Sequence, residues 1–220
     1  MLQWSDSSLL IVAHGSSRYP EAARDLLRLS ERLRDKFARV EIAFWRQQPE
    51  LSKAHLQGER IFVLPYFAGV GKHTEELIPA RLGDDSRIRY CAPIGSNPRI
   101  PGLIEKRAGN QSAALLLIAH GSSHHAASRT PQAIAATLRE GGAFTEVAVA
   151  YLEQEPFARD WRNLMNTEKI VVQPLLLAAG MHANEDLPAL FAGSGVQLLS
   201  GIGSDDEILA MMLEQIEAAS

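Results

Sequence analysis

Cysteine is nearly absent from this sequence: Cys91 is the only one among 220 residues. One cysteine cannot form an intrachain disulfide, and it cannot supply a CxxC metal site or an iron–sulfur cluster. Proteins of oxidising compartments commonly depend on disulfides, whereas proteins of the cytosol do not. We therefore expect a cytoplasmic protein that does not carry a cluster.

Long apolar runs and long basic runs are missing as well. The longest apolar runs, such as 113–119, are far too short to span a bilayer. Residues 1–8 are polar and lack the basic segment of a signal peptide, so we expect neither a leader nor a membrane partner. The net charge is −4 with both signs mixed along the chain, which makes nucleic acid an unexpected partner.

What the chain does contain is a repeat. Residues 9–17 read LLIVAHGSS and residues 115–123 read LLLIAHGSS. A second pair of segments, 60–82 and 169–191, shares the spacing Gly-x-His-x-x-Glu-x-x-Pro. Because the landmarks keep the same order, we interpret the chain as two domains, 1–110 and 111–220, which are two copies of one unit.

Each copy alternates the patterns of strands and helices. The predicted strands are 9–13, 40–45, 60–64 and 88–91 in the first copy, and 114–119, 146–151, 169–173 and 196–199 in the second. The predicted helices include 21–37, 74–82 with Pro79 inside it, and closing helices at 98–107 and 205–218. This alternation predicts an α/β fold with two flavodoxin-like domains in tandem, each with a mainly four-stranded parallel sheet flanked by helices.

A polar residue follows each of the first three strands in both copies. The three are His14, Arg46 and His73 in the first copy, and His120, Glu153 and His182 in the second. The carboxyl ends of parallel strands share one edge, so each trio should converge there. Two imidazoles with one carboxylate suit divalent Co, Fe, Ni or Zn, whereas a guanidinium repels a cation. We therefore predict a metal site in the second copy, and expect the first copy to bind metal poorly or not at all.

Simpler interpretations of these residues stay open at this point. A His-Gly pair after a strand can merely shape a turn, with Ser16 or Ser17 capping the next helix. Glu153 can be an ordinary solvated side chain. His124 and His125, which follow the second HGSS, are either solvated loop residues or an auxiliary metal-collecting pair.

The repeated motifs resemble those of the class II chelatases, the family of CbiX-type sirohydrochlorin cobaltochelatases and siroheme ferrochelatases. The matching segments are the two strand-HGS starts, the sequence AYLEQEP at 150–156, and the Gly-x-His segments at 71–79 and 180–188. The resemblance covers nearly the whole chain and is to the long form with two fused chelatase-like domains. It implies a monomer that acts as a pseudo-dimer.

This resemblance also implies a reaction, the insertion of Co²⁺ or Fe²⁺ (or Ni²⁺) into sirohydrochlorin or a related tetrapyrrole. Such a metal chelatase is a lyase of cobalamin or siroheme biosynthesis; the alternative is a non-enzymatic carrier of metal or tetrapyrrole. The metal is a substrate, and no permanent cofactor is expected. The family's metal-binding and proton-accepting residues fall on His120, Glu153 and His182. The residues expected to bind the substrate and its carboxylates are His14, Arg46, His73, Arg18, Lys72 and Arg129.

Overall fold

The computed structural model describes residues 4–109, 112–122, 128–178 and 180–220, and contains two four-stranded parallel sheets. The strands of the first sheet are β1 (Trp4–Ala13), β2 (Phe37–Phe44), β3 (Ile61–Tyr66) and β4 (Ile88–Tyr90). Those of the second are β5 (Ala114–Ala119), β6 (Val147–Tyr151), β7 (Ile170–Pro174) and β8 (Gln197–Leu198). Their orders are β2-β1-β3-β4 and β6-β5-β7-β8. The α/β prediction is confirmed, and the first strand of each sheet lies between the second and third.

The α-helices lie between these strands along the chain, except that the last one, α6, follows β8. They are α1 (Arg24–Glu31), α2 (Ile78–Leu82), α3 (Ile100–Ala108), α4 (Thr130–Gly141), α5 (Leu187–Phe191) and α6 (Glu207–Ala218). A single π turn precedes α2 at His73–Leu77, and another precedes α5 at His182–Asp186. The central strand β5 is buried along its whole length, as expected for a strand covered on both faces.

Several boundary predictions in the first repeat were wrong, beginning with β1, which starts at Trp4 and not at residue 9. The helix predicted to reach Phe37 ends at Glu31, and Phe37 instead begins β2, where its ring stacks on Trp4 with 5.3 Å between centroids. The strand predicted to stop before Pro65 continues to Tyr66. Pro65 is tolerated because its nitrogen faces the β4 side, where strand pairing has already ended at Val63.

The chain folds into two compact units that exchange their last helices. Unit 1 comprises the residues up to Asn97 together with Asp205–Ser220, and unit 2 comprises Pro98–Ser204. The closing helix of the first repeat, α3, thus belongs with the sheet of the second repeat, and α6 belongs with the sheet of the first. The repeats predicted as domains 1–110 and 111–220 therefore differ from the compact units by one helix each.

Helix α6 is anchored in unit 1 by apolar packing and by polar contacts. Its buried side chains are Ile208, Met211, Met212, Gln215 and Ile216. The Nε2 atom of Gln215 donates to the carbonyl of Pro93 (3.1 Å), and the Nδ2 atom of Asn97 donates to Glu214 (3.0 Å). Met211 and Met212 are fully buried and fill the core beneath the helix.

Helix α3 is anchored in unit 2 through Arg107. The guanidinium donates to the carbonyl of Ser200 (2.7 Å) and to the side-chain oxygen of Gln173 (3.2 Å). Gln173 is fully buried in β7, where the first repeat has Leu64. The amide of Gln173 also donates to the carbonyl of Ser200 (3.0 Å). The buried side chain of Gln173 thus has hydrogen-bond partners in α3 and in the loop after β8.

The start of α6 carries an ion pair that should make the stability of unit 1 depend on pH. Asp206 lies 2.6 Å from Arg28 and 3.2 Å from Arg32, and the hydrogen bond from Arg28 holds the pKa of Asp206 below its usual value. A lowered folded-state pKa stabilises the fold above the unfolded-state pKa, and this is lost as pH falls through the folded-state value. We expect Asp206→Asn to lower the thermal midpoint slightly at pH 7, since both groups are exposed. The difference from the parent should shrink as the pH falls below about 3.9 and vanish once the pH lies below the lowered folded-state pKa of Asp206. The control is Asp84→Asn, which removes another exposed carboxylate. An equal loss of thermal stability in this control, or a difference between Asp206→Asn and the parent that persists in acid, would contradict the prediction.

Within the described residues, no helix is both long enough and apolar enough to cross a bilayer.

Candidate metal site

The three residues predicted as a metal site lie together in unit 2. His120 directly follows β5, Glu153 lies two residues beyond β6, and His182 begins the π turn after β7. One possible ligand atom from each lies within 4.8 Å of the other two. The Nε2 atom of His120 is 3.8 Å from a carboxylate oxygen of Glu153, and the two imidazole centroids are 5.0 Å apart. Spacing of this order allows one ion to be bound by all three.

The trio is open to solvent. The exposed fractions are 49% for the side chain of His120, 44% for Glu153 and 29% for His182. A metal ion bound there keeps coordination positions that the protein does not fill, as in sites that act on a bound metal rather than store it. The exposure also leaves room for a second, larger reactant.

The glycine of the His-Gly pair brings His120 and Glu153 together. Gly121 has a φ of 78°, and a Cβ atom there would lie 2.8 Å from the side chain of Gln154. This close approach lets the backbone N–H of Ser122 donate to Gln154 (2.8 Å) and that of Glu153 donate to the carbonyl of His120 (2.9 Å). The glycine does shape a turn, and the turn sets the distance between the two candidate ligands.

Each histidine of the trio has an oxygen beside its Nδ1 atom. For His120 this is the carbonyl of Gly121 at 3.1 Å, and for His182 it is the carboxylate of Asp186 at 2.6 Å. An Nδ1–H bonded in this way leaves Nε2 as the nitrogen that can bind a metal. Sequence reasoning missed Asp186, although its spacing of four residues from His182 on a helix was a usable signal.

The second histidine of each repeat, His73 or His182, begins a π turn. The backbone N–H of Leu187 bonds to the carbonyl of His182, and that of Ile78 bonds to the carbonyl of His73. A proline follows one residue later in each case, and a proline disrupts the preceding α-helical turn. The helix expected over 74–82 is therefore a π turn followed by a short α-helix, a feature that often occurs at functional sites.

Unit 1 repeats this backbone with different side chains. His14 follows β1 and His73 begins the π turn, with 5.5 Å between their ring centroids. The backbone N–H of Arg46 donates to the carbonyl of His14 (2.8 Å), as that of Glu153 does to His120. The side chain of Arg46 is exposed. In the part of the chain that the structure describes, the only cluster of three histidine, cysteine or acidic residues with metal-type spacing is the trio of unit 2.

Two aromatic side chains, Phe67 and Trp45, contact His73. Phe67 stacks on His73, and Trp45 meets it edge-on, each with 5.5 Å between centroids. Both rings also pack on the core of unit 1. Leucines occupy the matching positions in the second repeat, Leu176 and Leu152. Sequence reasoning did not single out Phe67.

The other residues predicted to bind substrate carboxylates lie in loops or at a helix start. Arg18 is exposed in the loop after β1, and Lys72 is half-buried directly before His73. Arg129 is exposed at the N-cap of α4 in unit 2. Their roles remain predictions. His124 and His125 lie outside the described residues.

Known proteins show similarity over nearly the whole chain. A "probable sirohydrochlorin cobaltochelatase" of Halobacterium salinarum is 27% identical over 221 residues, covering 82% of this chain and 75% of that protein. The solved structure of a CbiX, the terminal enzyme of siroheme biosynthesis in denitrifying bacteria, superimposes with a TM-score of 0.76. That match has 25% identity and covers 97% of this chain and 99% of the other.

A third match is to a larger protein. A multi-domain protein of Deinococcus radiodurans with structural similarity to chelatases superimposes with a TM-score of 0.77 at 22% identity. The match covers 96% of this chain but 55% of that protein, so this chain spans about half of its length. The family model described as CbiX matches residues 8–111 and again residues 114–219. Since the two matches together span most of the sequence, the chain belongs to the CbiX family.

Proposed function

We propose that this protein is a metal chelatase that inserts a divalent metal ion into sirohydrochlorin or a related tetrapyrrole. The observation that carries the proposal is the cluster of His120, Glu153 and His182, with ligand atoms within 4.8 Å of one another on an open edge of unit 2. The likeness to a probable sirohydrochlorin cobaltochelatase and to a CbiX of siroheme biosynthesis supports this reaction.

The chemistry matches what these side chains can do. Insertion replaces two pyrrole N–H protons by M²⁺, so the products are the metallated macrocycle and two protons. The two imidazoles and the carboxylate hold the ion through a few ligands and leave coordination positions for the pyrrole nitrogens. Glu153, which is exposed beside His120, can take a proton from the macrocycle and release it to water.

Cobalt and iron are the metals that we propose as substrates. Imidazole and carboxylate ligands suit both ions, and also Ni²⁺, and the choice among such ions in the cell depends on metal availability as well as on the ligands. One relative carries cobalt in its name and another belongs to siroheme biosynthesis. Insertion assays with Co²⁺, Fe²⁺ and Ni²⁺, each at the same free concentration, decide between them.

Unit 1 is assigned a different task in this proposal. With Arg46 where unit 2 has Glu153, its site carries a positive charge suited to a carboxylate and not to a cation. Arg46, Arg18 and Lys72 would bind carboxylates of the tetrapyrrole. Arg129, which lies in unit 2, is proposed separately for the same kind of contact. His14 and His73 would contact the substrate without binding metal.

The test is a spectrophotometric insertion assay on the Glu153→Gln variant. Glutamine keeps the shape of the side chain but removes the negative charge and the proton acceptor. We expect Co²⁺ affinity and insertion rate each to fall by at least about tenfold. Glu155→Gln removes an exposed carboxylate two residues away and should behave like the parent.

Two outcomes would contradict the proposal in different ways. If Glu153→Gln binds Co²⁺ and turns over like the parent, the carboxylate is not part of the site. If the parent binds metal and tetrapyrrole but never releases a metallated product, the protein is a carrier instead of an enzyme.

A further inference from the structure

Asp186 lies beside the candidate metal site formed by His120, Glu153 and His182, and is not one of these three residues. Its carboxylate oxygen is 2.6 Å from the Nδ1 atom of His182, four residues earlier on the π turn. The side chain of Asp186 is 47% exposed and that of His182 is 29% exposed. The carboxylate thus engages one ring nitrogen of a candidate ligand while the opposite nitrogen stays available.

A contact of this kind has a defined effect on a metal-binding imidazole. A neutral imidazole carries one proton, and only the nitrogen without it can bind a metal. A carboxylate at Nδ1 keeps the proton there, fixes the ring in one orientation and leaves the lone pair on Nε2. The carbonyl of Gly121 at Nδ1 of His120 offers the same arrangement with a neutral acceptor.

We propose that Asp186 is a positioning residue of the metal site, which holds His182 in the tautomer and orientation that present Nε2 to the ion. The inference rests on the proposed function, because it takes His182 as a metal ligand. Asp186 acts through His182 and does not bind the ion itself.

The first repeat supports this assignment. The residue at the position of Asp186 is Leu77, whose side chain has no hydrogen-bond acceptor. The same repeat has Arg46 in place of Glu153. Both carboxylates are therefore found in unit 2 and neither is found in unit 1, as expected if they serve one metal ion together.

A simple charge effect is the main alternative. An exposed carboxylate near a cation site attracts the cation without any specific contact, and such an effect is small and screened by salt. Glu185, the preceding residue, is also exposed. Glu185→Gln therefore removes the same charge from nearly the same place without removing the hydrogen bond to His182.

The first measurement is Co²⁺ binding to the full chain without tetrapyrrole. We expect Asp186→Asn and Asp186→Leu to weaken binding by about 10–100-fold, the usual cost of losing a carboxylate behind a metal-binding histidine. Asp186→Leu matters because asparagine can still accept a weak hydrogen bond through its amide oxygen. Glu185→Gln should change the affinity by less than about threefold. Equal losses in the Asp186 and Glu185 variants would overturn the proposal.

The second measurement reports on the imidazole itself. In metal-free protein labelled with ¹⁵N-histidine, two-bond ¹H–¹⁵N spectra distinguish the two tautomers, and His182→Gln identifies the signals of His182. We expect the proton on Nδ1 in the parent and in Glu185→Gln, and a mixture of tautomers in Asp186→Leu. A proton on Nε2 in the parent, or an unchanged spectrum in Asp186→Leu, would overturn the proposal. A parent that binds Co²⁺ but fails to insert it would remove the proposed function and leave these results standing.

Discussion

His120→Ala is expected to lower Co²⁺ affinity and insertion rate by at least about 100-fold, whereas His14→Ala is expected to cost less than about tenfold. His120 is a candidate ligand whose Nε2 lies 3.8 Å from Glu153, so its removal leaves two ligands from the protein. Losing a ligand should cost more than the 10–100-fold typical of losing its supporting partner.

His14→Ala is the matched control for this experiment. His14 follows β1 as His120 follows β5, and its Nδ1 lies 2.9 Å from the carbonyl of Gly15, as that of His120 lies beside Gly121. The neighbour of His14 is Arg46 in place of an acid, so His14→Ala should act on KM for the tetrapyrrole and leave Co²⁺ binding intact. An equal or larger loss of Co²⁺ affinity in His14→Ala would place the metal site in unit 1.

Shortening the chain after Ser204 is expected to unfold the first sheet while the second stays folded. The truncation removes α6, whose fully buried Ile208, Met211, Met212 and Ile216 belong to unit 1. Burial of each such side chain stabilises a fold by about 1.5–3 kcal/mol, so their joint loss rivals the total stability of a typical domain, about 5–15 kcal/mol.

Limited proteolysis followed by mass spectrometry measures this directly. We expect rapid cleavage within 4–97 and protection within 98–204. If each sheet instead kept the closing helix of its own repeat, the truncation would expose the second sheet, and the pattern of protection would reverse.

A point substitution in the full chain tests the same packing. Met212→Lys should also unfold the first sheet, because it places a charge at a fully buried position. The control is Glu217→Lys, which introduces a lysine on the exposed face of α6 and should have little effect on stability.

The sheets and the clustering of the three candidate ligands were predictable from short sequence patterns. Central strands such as β5 are continuous apolar runs, and parallel strands place their carboxyl ends at one edge, which favours the observed proximity of His120, Glu153 and His182. Metal binding by these three residues stays a prediction. Because the chain repeats, each predicted strand and helix could be checked against its counterpart in the other copy.

The end of β3 could not be predicted in this way. Whether the strand continues through Pro65 depends on where the neighbouring strand β4 ends, and the sequence of β3 alone does not contain that information.

The exchange of the closing helices was not predictable from the same patterns. Both helices have an apolar face, formed by Ile100, Leu103 and Ile104 in α3 and by residues such as Ile208 and Met212 in α6. An apolar face shows that a helix is buried but not against which of two similar sheets. Partners specific to one sheet, such as Gln173 for Arg107, become recognisable only when the strands are in place.

The exchanged helices also set the order in which a ribosome can deliver a finished fold. Unit 2 is one continuous stretch, Pro98–Ser204, so it can be completed as soon as that stretch has left the exit tunnel. Unit 1 begins first but must wait for α6, more than a hundred residues later. At about 5–20 residues per second this delay lasts about 5–25 seconds, during which the apolar surface beneath α6 stays uncovered. In this chain the half that is synthesised first is the half that is finished last.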